Sequence, residues 1–256
     1  MLGAMIGDII GSIYEWHNIK TTDFILFKPN CTFTDDTVLT AATAQALMTD
    51  GDYTRAYQDF ARQYPGRGYG SNFSRWIYAE DAKPYNSWGN GSAMRVSPVG
   101  YAFDTVEEVL AEAKRSANVT HNHPEGIKGA QSTALAILLA RQGATQAEIR
   151  DEIAERFGYD LDRTLDEIRP GYSFDVSCQG SVPEAIIAFL ESTDFEDAIR
   201  KAISMGGDSD TIACITGGIA EAFYGGVPEE IAEEGQSYLP DEFVRIVEDF
   251  RAWYEG

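Results

Sequence analysis

The sequence predicts an all-α protein, and three observations carry that prediction. Four stretches fit a capping box: Asp104-Thr105-Val106-Glu107, Thr145-Gln146-Ala147-Glu148, Ser181-Val182-Pro183-Glu184 and Thr193-Asp194-Phe195-Glu196. In such a box the first side chain accepts from the third helical N–H and the acid reaches back. Each stretch precedes a segment with helical apolar spacing. Finally, no segment sustains the alternation of β-branched and polar residues, bounded by hairpin turns, that marks a strand.

Helices are expected at residues 2–14, 36–49, 53–63, 105–118, 124–142, 146–157, 182–191, 194–204, 209–224, 228–236 and 240–254. The first carries Gly3, Gly7 and Gly11 at a four-residue period, which aligns them on one face and admits another backbone. Each glycine there costs about 1 kcal/mol against alanine, so close packing must offset it. Met5, Ile6, Ile9, Ile10 and Ile13 fill much of the remaining surface, so this helix is buried. Asp8 interrupts it, either as an end-of-helix carboxylate or as a support for a site. Residues 36–49 follow Thr34-Asp35-Asp36-Thr37, where unpaired N–H groups meet side-chain oxygens. The helix at 124–142 begins with Pro124, a residue suited to a first turn. Residues 209–224 follow the glycine-rich Gly206-Gly207-Asp208-Ser209-Asp210-Thr211. The other segments rest on their boxes or on apolar period alone.

Composition narrows the function. Across 256 residues, 20 Lys and Arg face 41 Asp and Glu, a net charge of −21. That field opposes a polyanion, so no nucleic-acid partner is expected. No stretch approaches the ~18 apolar residues of a bilayer span, and the apolar start Met1–Gly7 meets Asp8 with no basic residue before it. Neither a membrane helix nor a signal peptide is expected. Cys31, Cys178 and Cys214 are odd in number and widely spaced, which suits reduced, buried thiols in a cytoplasmic protein. No linker, low-complexity tract or fixed-period repeat divides the chain, so residues 1–256 are expected to form one domain.

Two clusters hold most of the chemistry. Thr34-Asp35-Asp36-Thr37 alone fits an ordinary helix cap. Gly206-Gly207-Asp208-Ser209-Asp210-Thr211 does not, since a cap needs one oxygen side chain and this turn offers two carboxylates and two hydroxyls. If the clusters converge, four carboxylates with Thr34 and Thr211 repel one another unless a cation intervenes. Hard oxygen donors without cysteine favour Mg²⁺ or Mn²⁺ over Zn²⁺ or copper. Four carboxylates further suggest two ions, and a dinuclear hydrolase is the expectation.

Gly7-Asp8-Ile9-Ile10-Gly11-Ser12-Ile13-Tyr14-Glu15, the Thr34–Thr37 start, Gly89-Asn90-Gly91-Ser92-Ala93-Met94-Arg95 and the Gly206–Thr211 turn together resemble the ADP-ribosylglycohydrolase family, over nearly the whole chain and in the family's order. The resemblance implies an all-helical fold whose dinuclear Mg²⁺ or Mn²⁺ centre cleaves the bond between ADP-ribose and its acceptor. It assigns Thr34, Asp35, Asp36, Asp208, Asp210 and Thr211 as metal ligands and Glu15 as a mobile acid beside them. Ser87, Trp88, Gly89, Asn90, Gly91 and Ser92 resemble a phosphate-binding loop, followed by Met94 in the same motif. Small residues there expose N–H groups to a pyrophosphate without adding net positive charge. Trp88 is either a stacking platform for adenine or ribose, or core. Arg95 pairs either with phosphate or with a structural carboxylate. His121 is assigned to the substrate, or else to bracing its loop; His123 is more simply a cap.

The expected reaction passes through an oxocarbenium-like state stabilised by surrounding carboxylates, with Asp36 as the base, Glu15 as a second catalytic residue that gates entry or binds an ion, and the acid that protonates the leaving group unassigned. Two other readings remain: a metal-dependent nucleotide phosphohydrolase, and an inert ADP-ribose-binding relative. An ADP-ribosylated protein or small molecule is the expected partner, with the acceptor left open.

Overall fold

Gly3, Gly7 and Gly11 determine how the centre of the molecule is built. The computed structural model describes residues 1–256 and contains fifteen helices, with one isolated bridge, Gly89 to Ser177, in place of any sheet. Helix α1 (Leu2–Gly11) lies directly against α13 (Ser209–Phe223). A Cβ at Gly3 would stand 2.5 Å from Gly217 O, and one at Gly11 would stand 2.5 Å from Asp210 Cα. At Gly7 it would fall within the carbonyl of Ala213. The backbone approach read from the glycine period therefore joins the first helix to the second acidic motif.

Around this pair lie α2 (Asp35–Met48), α3 (Tyr53–Gln63), α4 (Ser71–Trp76), α5 (Gly91–Met94), α6 (Ser97–Ala102), α7 (Val106–Asn118) and α8 (Pro124–Arg141). The chain continues through α9 (Gln146–Phe157), α10 (Leu165–Ile168), α11 (Cys178–Leu190) and α12 (Phe195–Ser204), and after α13 ends with α14 (Glu229–Gln236) and α15 (Asp241–Glu255). One apolar core runs from Met1 to Phe250, so both ends of the chain share it. A smaller cluster joins α2, α3 and α4. Cys31, Cys178 and Cys214 are buried free thiols. No helix is long and apolar enough to cross a membrane.

Three expectations need correction. The first helix stops at Gly11 rather than residue 14, with Tyr14 N–H bonded to Gly11 O in a turn that releases Glu15 from the helix. The helix expected from residue 182 begins at Cys178, with Ser177 accepting from Gly180 N, so Ser181 is inside the helix rather than its cap. Pro183 sits in its second turn, where the missing N–H removes one bond and the apolar run 182–189 carries the helix onward. Helices α4, α5, α6 and α10 were not read at all, because four to six residues are too few to display an apolar period.

Caps were partly legible. Thr145 and Glu148 form the expected box, and an unread one joins Thr164 to Glu167. At two of the other sites the cap is one residue later, at Thr105 and Asp194, because those side chains reach the N–H groups of Glu108 and Asp197.

Candidate active site

The two acidic motifs meet because α1 holds both. Asp8 is fully buried, and its carboxylate accepts from Thr34 N (2.9 Å), Thr34 Oγ1 (2.7 Å), Thr37 N (3.1 Å) and Thr37 Oγ1 (2.5 Å). Asp8 thus ties the start of α2 to α1, while Gly11 seats the start of α13 on the same helix. Thr34 Oγ1 also accepts from Asp36 N at 3.3 Å, the cap expected of it. Gly206 and Gly207 take positive φ of 71° and 75° before α13, a backbone open to glycine at no steric cost. Asn18 locks that turn, donating to Gly207 O at 2.9 Å and accepting from Gly207 N at 2.8 Å.

A cavity of about 440 Å³ opens over this junction. Its acidic side is formed by Glu15, Thr34, Asp35, Asp36, Asp208, Asp210 and Thr211. Carboxylate oxygens of Glu15, Asp208 and Asp210 all lie within 4.8 Å of one another. Asp36 Oδ2 and Asp210 Oδ1 are buried without any hydrogen-bond partner. Buried carboxylates in native proteins are normally satisfied, so these two oxygens aim at something the protein does not supply. A hard divalent cation matches that donor set, as carboxylate and hydroxyl oxygens with no sulfur or imidazole among them. The residues present therefore fit Mg²⁺ or Mn²⁺.

Without a cation the cluster is strained electrostatically. Burial, then repulsion from Asp8, pushes Asp35 and Asp36 well above the usual carboxylate range; burial, then Asp208, does the same for Asp210. Burial raises Asp208 as well, and holds Asp8 at about 6 against its hydrogen bonds. Glu15 is raised to about 7 by burial and the nearby Asp208 charge. Each group binds its proton more tightly folded than unfolded, so its stabilising contribution is complete below the unfolded value and is lost as pH rises through the folded one. The metal-free protein should accordingly lose melting temperature as pH rises from about 4 through about 6 and 7. Added Mg²⁺ or Mn²⁺ should restore it far more at pH 8 than at pH 5; scanning calorimetry with and without chelator reads both effects.

The opposite wall comes from the glycine-rich loop and the segment ahead of α8. Ser87, Gly89, Asn90, Gly91, Met94 and His121 line the cavity. Asn90 also reaches across it, donating from Nδ2 to Asp208 Oδ2 at 2.6 Å and to Ser181 Oγ at 3.1 Å. Two expected members stand elsewhere. Ser92 is turned inward because the loop becomes α5 at Gly91, and its hydroxyl donates to Gly126 O at 2.6 Å. Trp88 is 53% exposed and edge-on to His123, neither core nor cavity wall. Arg95 also lines the cavity but pairs with no carboxylate: it is wholly buried over the Tyr57 ring and donates to Ser116 O and Thr120 Oγ1. His123 caps α8, with Nδ1 accepting from Glu125 N, and His17 is exposed.

Sequence reading missed several wall residues: Trp16, the Gly68–Phe73 segment, Tyr85, Phe174 and Val176. The signal for Gly68 was present in the alternate-residue glycines at 66, 68 and 70. Gly68 has φ of 101°, and Arg67 O accepts from Asp35 N at 2.7 Å, so this loop holds the first acidic motif from outside. Trp16 stacks on Phe174 at the cavity mouth with ring centroids 5.2 Å apart, a pairing of distant segments that no local pattern announces.

Comparison with known proteins gives a consistent result. The family model described as ADP-ribosylglycohydrolase matches residues 1–255. Among curated proteins, the chain is 29% identical to mouse ADP-ribosylhydrolase ARH3, covering 92% of this chain and 85% of that one. It is 28% identical to the human ADP-ribosylhydrolase ARH3, over 93% and 88%. The ADP-ribosylarginine hydrolase Tri1 of Pseudomonas putida is 26% identical, over 91% and 72%. A solved structure titled ADP-ribosylglycohydrolase-related protein complex shares the fold, with a TM-score of 0.69, 24% identity and 96% coverage of both chains.

Proposed function

The chain belongs to the ADP-ribosylglycohydrolase family of glycosidic-bond hydrolases, and from that premise we propose that it releases ADP-ribose from an ADP-ribosylated protein or small molecule, using two divalent cations, Mg²⁺ or Mn²⁺. The single observation that carries the metal-dependent reading is the pair of buried, unpartnered carboxylate oxygens on Asp36 and Asp210, two residues that line the same cavity at the starts of α2 and α13. Thr34, Asp35, Asp36, Asp208, Asp210 and Thr211 would hold the cations, with Glu15 adjoining them. When bound, such ions supply Lewis-acid polarisation and make water more acidic.

The remaining work falls to the chain. Asp36, whose Oδ2 has no internal partner, is the base that takes the proton of the attacking water. Glu15, carried on the turn after α1, faces the developing positive charge of the oxocarbenium-like state. Backbone groups of Gly89 and Gly91, with Ser87, Asn90 and His121, bind the diphosphate side, where small residues allow close approach. Met94 adds an apolar contact behind them. Trp88, exposed beside this loop, is available to stack on a base. The mutual orientation of water and anomeric carbon that these contacts impose is where much of the rate enhancement would arise.

Of the three relatives compared, one name specifies an acceptor, arginine, and two specify none, so the acceptor is best found by assay. Chelated protein, reloaded with Mg²⁺ or Mn²⁺, should release free ADP-ribose from at least one member of a panel carrying arginine, serine, nucleobase and small-molecule linkages. No release is expected under chelation. Inorganic phosphate as product would instead identify a phosphohydrolase, and ADP-ribose binding without turnover in either cation would identify an inert binder.

A further inference from the structure

A protein of net charge −21 that binds a diphosphate needs a local positive potential. Arg95 is the only basic side chain on the cavity wall. It is also wholly buried, with no guanidinium nitrogen exposed to the cavity. No carboxylate shares its charge: its partners are Ser116 O at 3.2 Å, Thr120 Oγ1 at 2.8 Å and the face of Tyr57, with the guanidinium carbon 4.1 Å from the ring centre. Nε and Nη1 have no partner at all. A buried cation left without a counter-ion is costly, and one hydroxyl, one carbonyl and a ring face offset only part of that cost.

The charge has a route to the cavity. Thr120 Oγ1 accepts from Arg95 Nη2 and lies 2.7 Å from His121 Nδ1. The guanidinium has only donors, so the hydroxyl accepts there and its one proton is left for Nδ1. That leaves the proton of a neutral imidazole on Nε2. Nε2 makes no bond within the protein and lies against the glycine loop: Cβ atoms built at Gly91 and Gly89 would stand 3.1 and 3.6 Å from it.

We propose that Arg95 is the buried counter-charge of the ligand's diphosphate, acting through Thr120 and His121, so that His121 presents a fixed, polarised Nε2–H donor to a phosphate oxygen beside Gly89 and Gly91. Arg95 and Thr120 are positioning residues in this arrangement; His121 alone touches the ligand. Chains of hydrogen bonds polarise one another in a low-dielectric interior, so a cation at one end strengthens the donor at the other. The imidazole stays neutral because burial, and then the Arg95 charge, hold it well below its ordinary range. A neutral donor fits a wall that opposes an acidic cluster, because it binds phosphate without forming an ion pair with Asp208 or Glu15.

The inference rests on the proposed ADP-ribose reading and is tested so that the two can fail separately. Nitrogen-15 NMR of histidine-labelled, ligand-free protein should show His121 with Nε2 protonated and Nδ1 bare from pH 6 to 9. This needs no activity. Thr120→Val should raise the calorimetric Kd for ADP-ribose, and the inhibition constant for inorganic pyrophosphate, by about tenfold, or about 1.4 kcal/mol. Thr120→Ser should restore most of that loss. His121→Gln, which keeps a donor near Nε2, should bind ADP-ribose at least fivefold more tightly than His121→Ala, and the change in turnover should lie in KM rather than kcat. An Nδ1–H tautomer, equal losses for the Gln and Ala variants, or a Thr120→Val protein with unaltered affinity would each overturn the proposal. Should the wild type neither bind nor release ADP-ribose, the functional reading fails while the tautomer measurement still decides the hydrogen-bond chain. If Thr120→Val does not fold, the His121 pair decides the affinity question.

Discussion

Replacing Asp210 with asparagine is expected to abolish turnover, by about 10³-fold or more, while raising the melting temperature of the metal-free protein. The two effects have one cause. Asp210 is buried with Oδ1 unpartnered, and repulsion from Asp208 and Asp36 adds to the burial that drives its carboxyl well above the ordinary range. An amide of the same shape removes the charge and with it the repulsion, so the empty cluster relaxes. The same change removes a donor on which cation binding depends, so Mg²⁺ or Mn²⁺ should no longer raise the melting temperature as it does in the wild type. Asp35→Ala should match the loss of turnover, and circular dichroism should show both variants as helical as the parent. Thermal denaturation with chelator and with excess cation, beside the ADP-ribose release assay, reads all of these outcomes. Wild-type turnover in either variant, or a metal-free Asp210→Asn protein less stable than its parent, would remove the basis for a cation site built on α2 and α13.

How much of this was visible in the sequence depends on whether the signal was local. The Thr34–Thr37 and Gly206–Thr211 motifs were legible because an excess of oxygen donors at a helix start exceeds what capping needs. The glycine period of α1 was legible because close backbone approach is the simplest compensation for three such costly residues. Glu15 reaches the cavity only because α1 ends at Gly11, and the apolar residues at 13 and 14 concealed that stop. Trp16 on Phe174, Arg67 against Asp35, and Asn18 on Gly207 join segments far apart in sequence, so no window along the chain contains both partners. The carboxylate partner expected of Arg95 failed for a related reason. A lone arginine after a glycine loop suggests an ion pair, and only the packing of α5 against α7 and α8 puts Thr120 rather than an acid beside it.

The second large effect concerns stability and its spread along α1. Gly3→Ala, Gly7→Ala and Gly11→Ala should each destabilise the protein by about 3 kcal/mol or more, although alanine favours an isolated helix by about 1 kcal/mol. The nearest atoms in the way are backbone: Gly217 O at Gly3, where Glu221 Cβ and Phe195 Cε2 also stand at 2.8 Å, Ala213 O at Gly7, and Ser209 O at 2.6 Å with Asp210 Cα at Gly11. A side chain could rotate aside, whereas a helix backbone must translate. For a chain of this size about 3 kcal/mol corresponds to a fall of roughly 6–12 °C in melting temperature. Activity should not follow stability uniformly. Gly11 abuts Asp210, whereas Gly3 lies eight residues, or about 12 Å, farther along the helix. Below its melting temperature the Gly3→Ala protein should therefore keep most of its turnover per folded molecule, and Gly11→Ala should lose most of it. Displacing Asp210 from Asp36 by even 1 Å disturbs a cluster whose carboxylates must share cations. Equal specific activities for the two variants would mean that the contact of α1 with α13 supports the core but does not set the geometry of the acidic cluster.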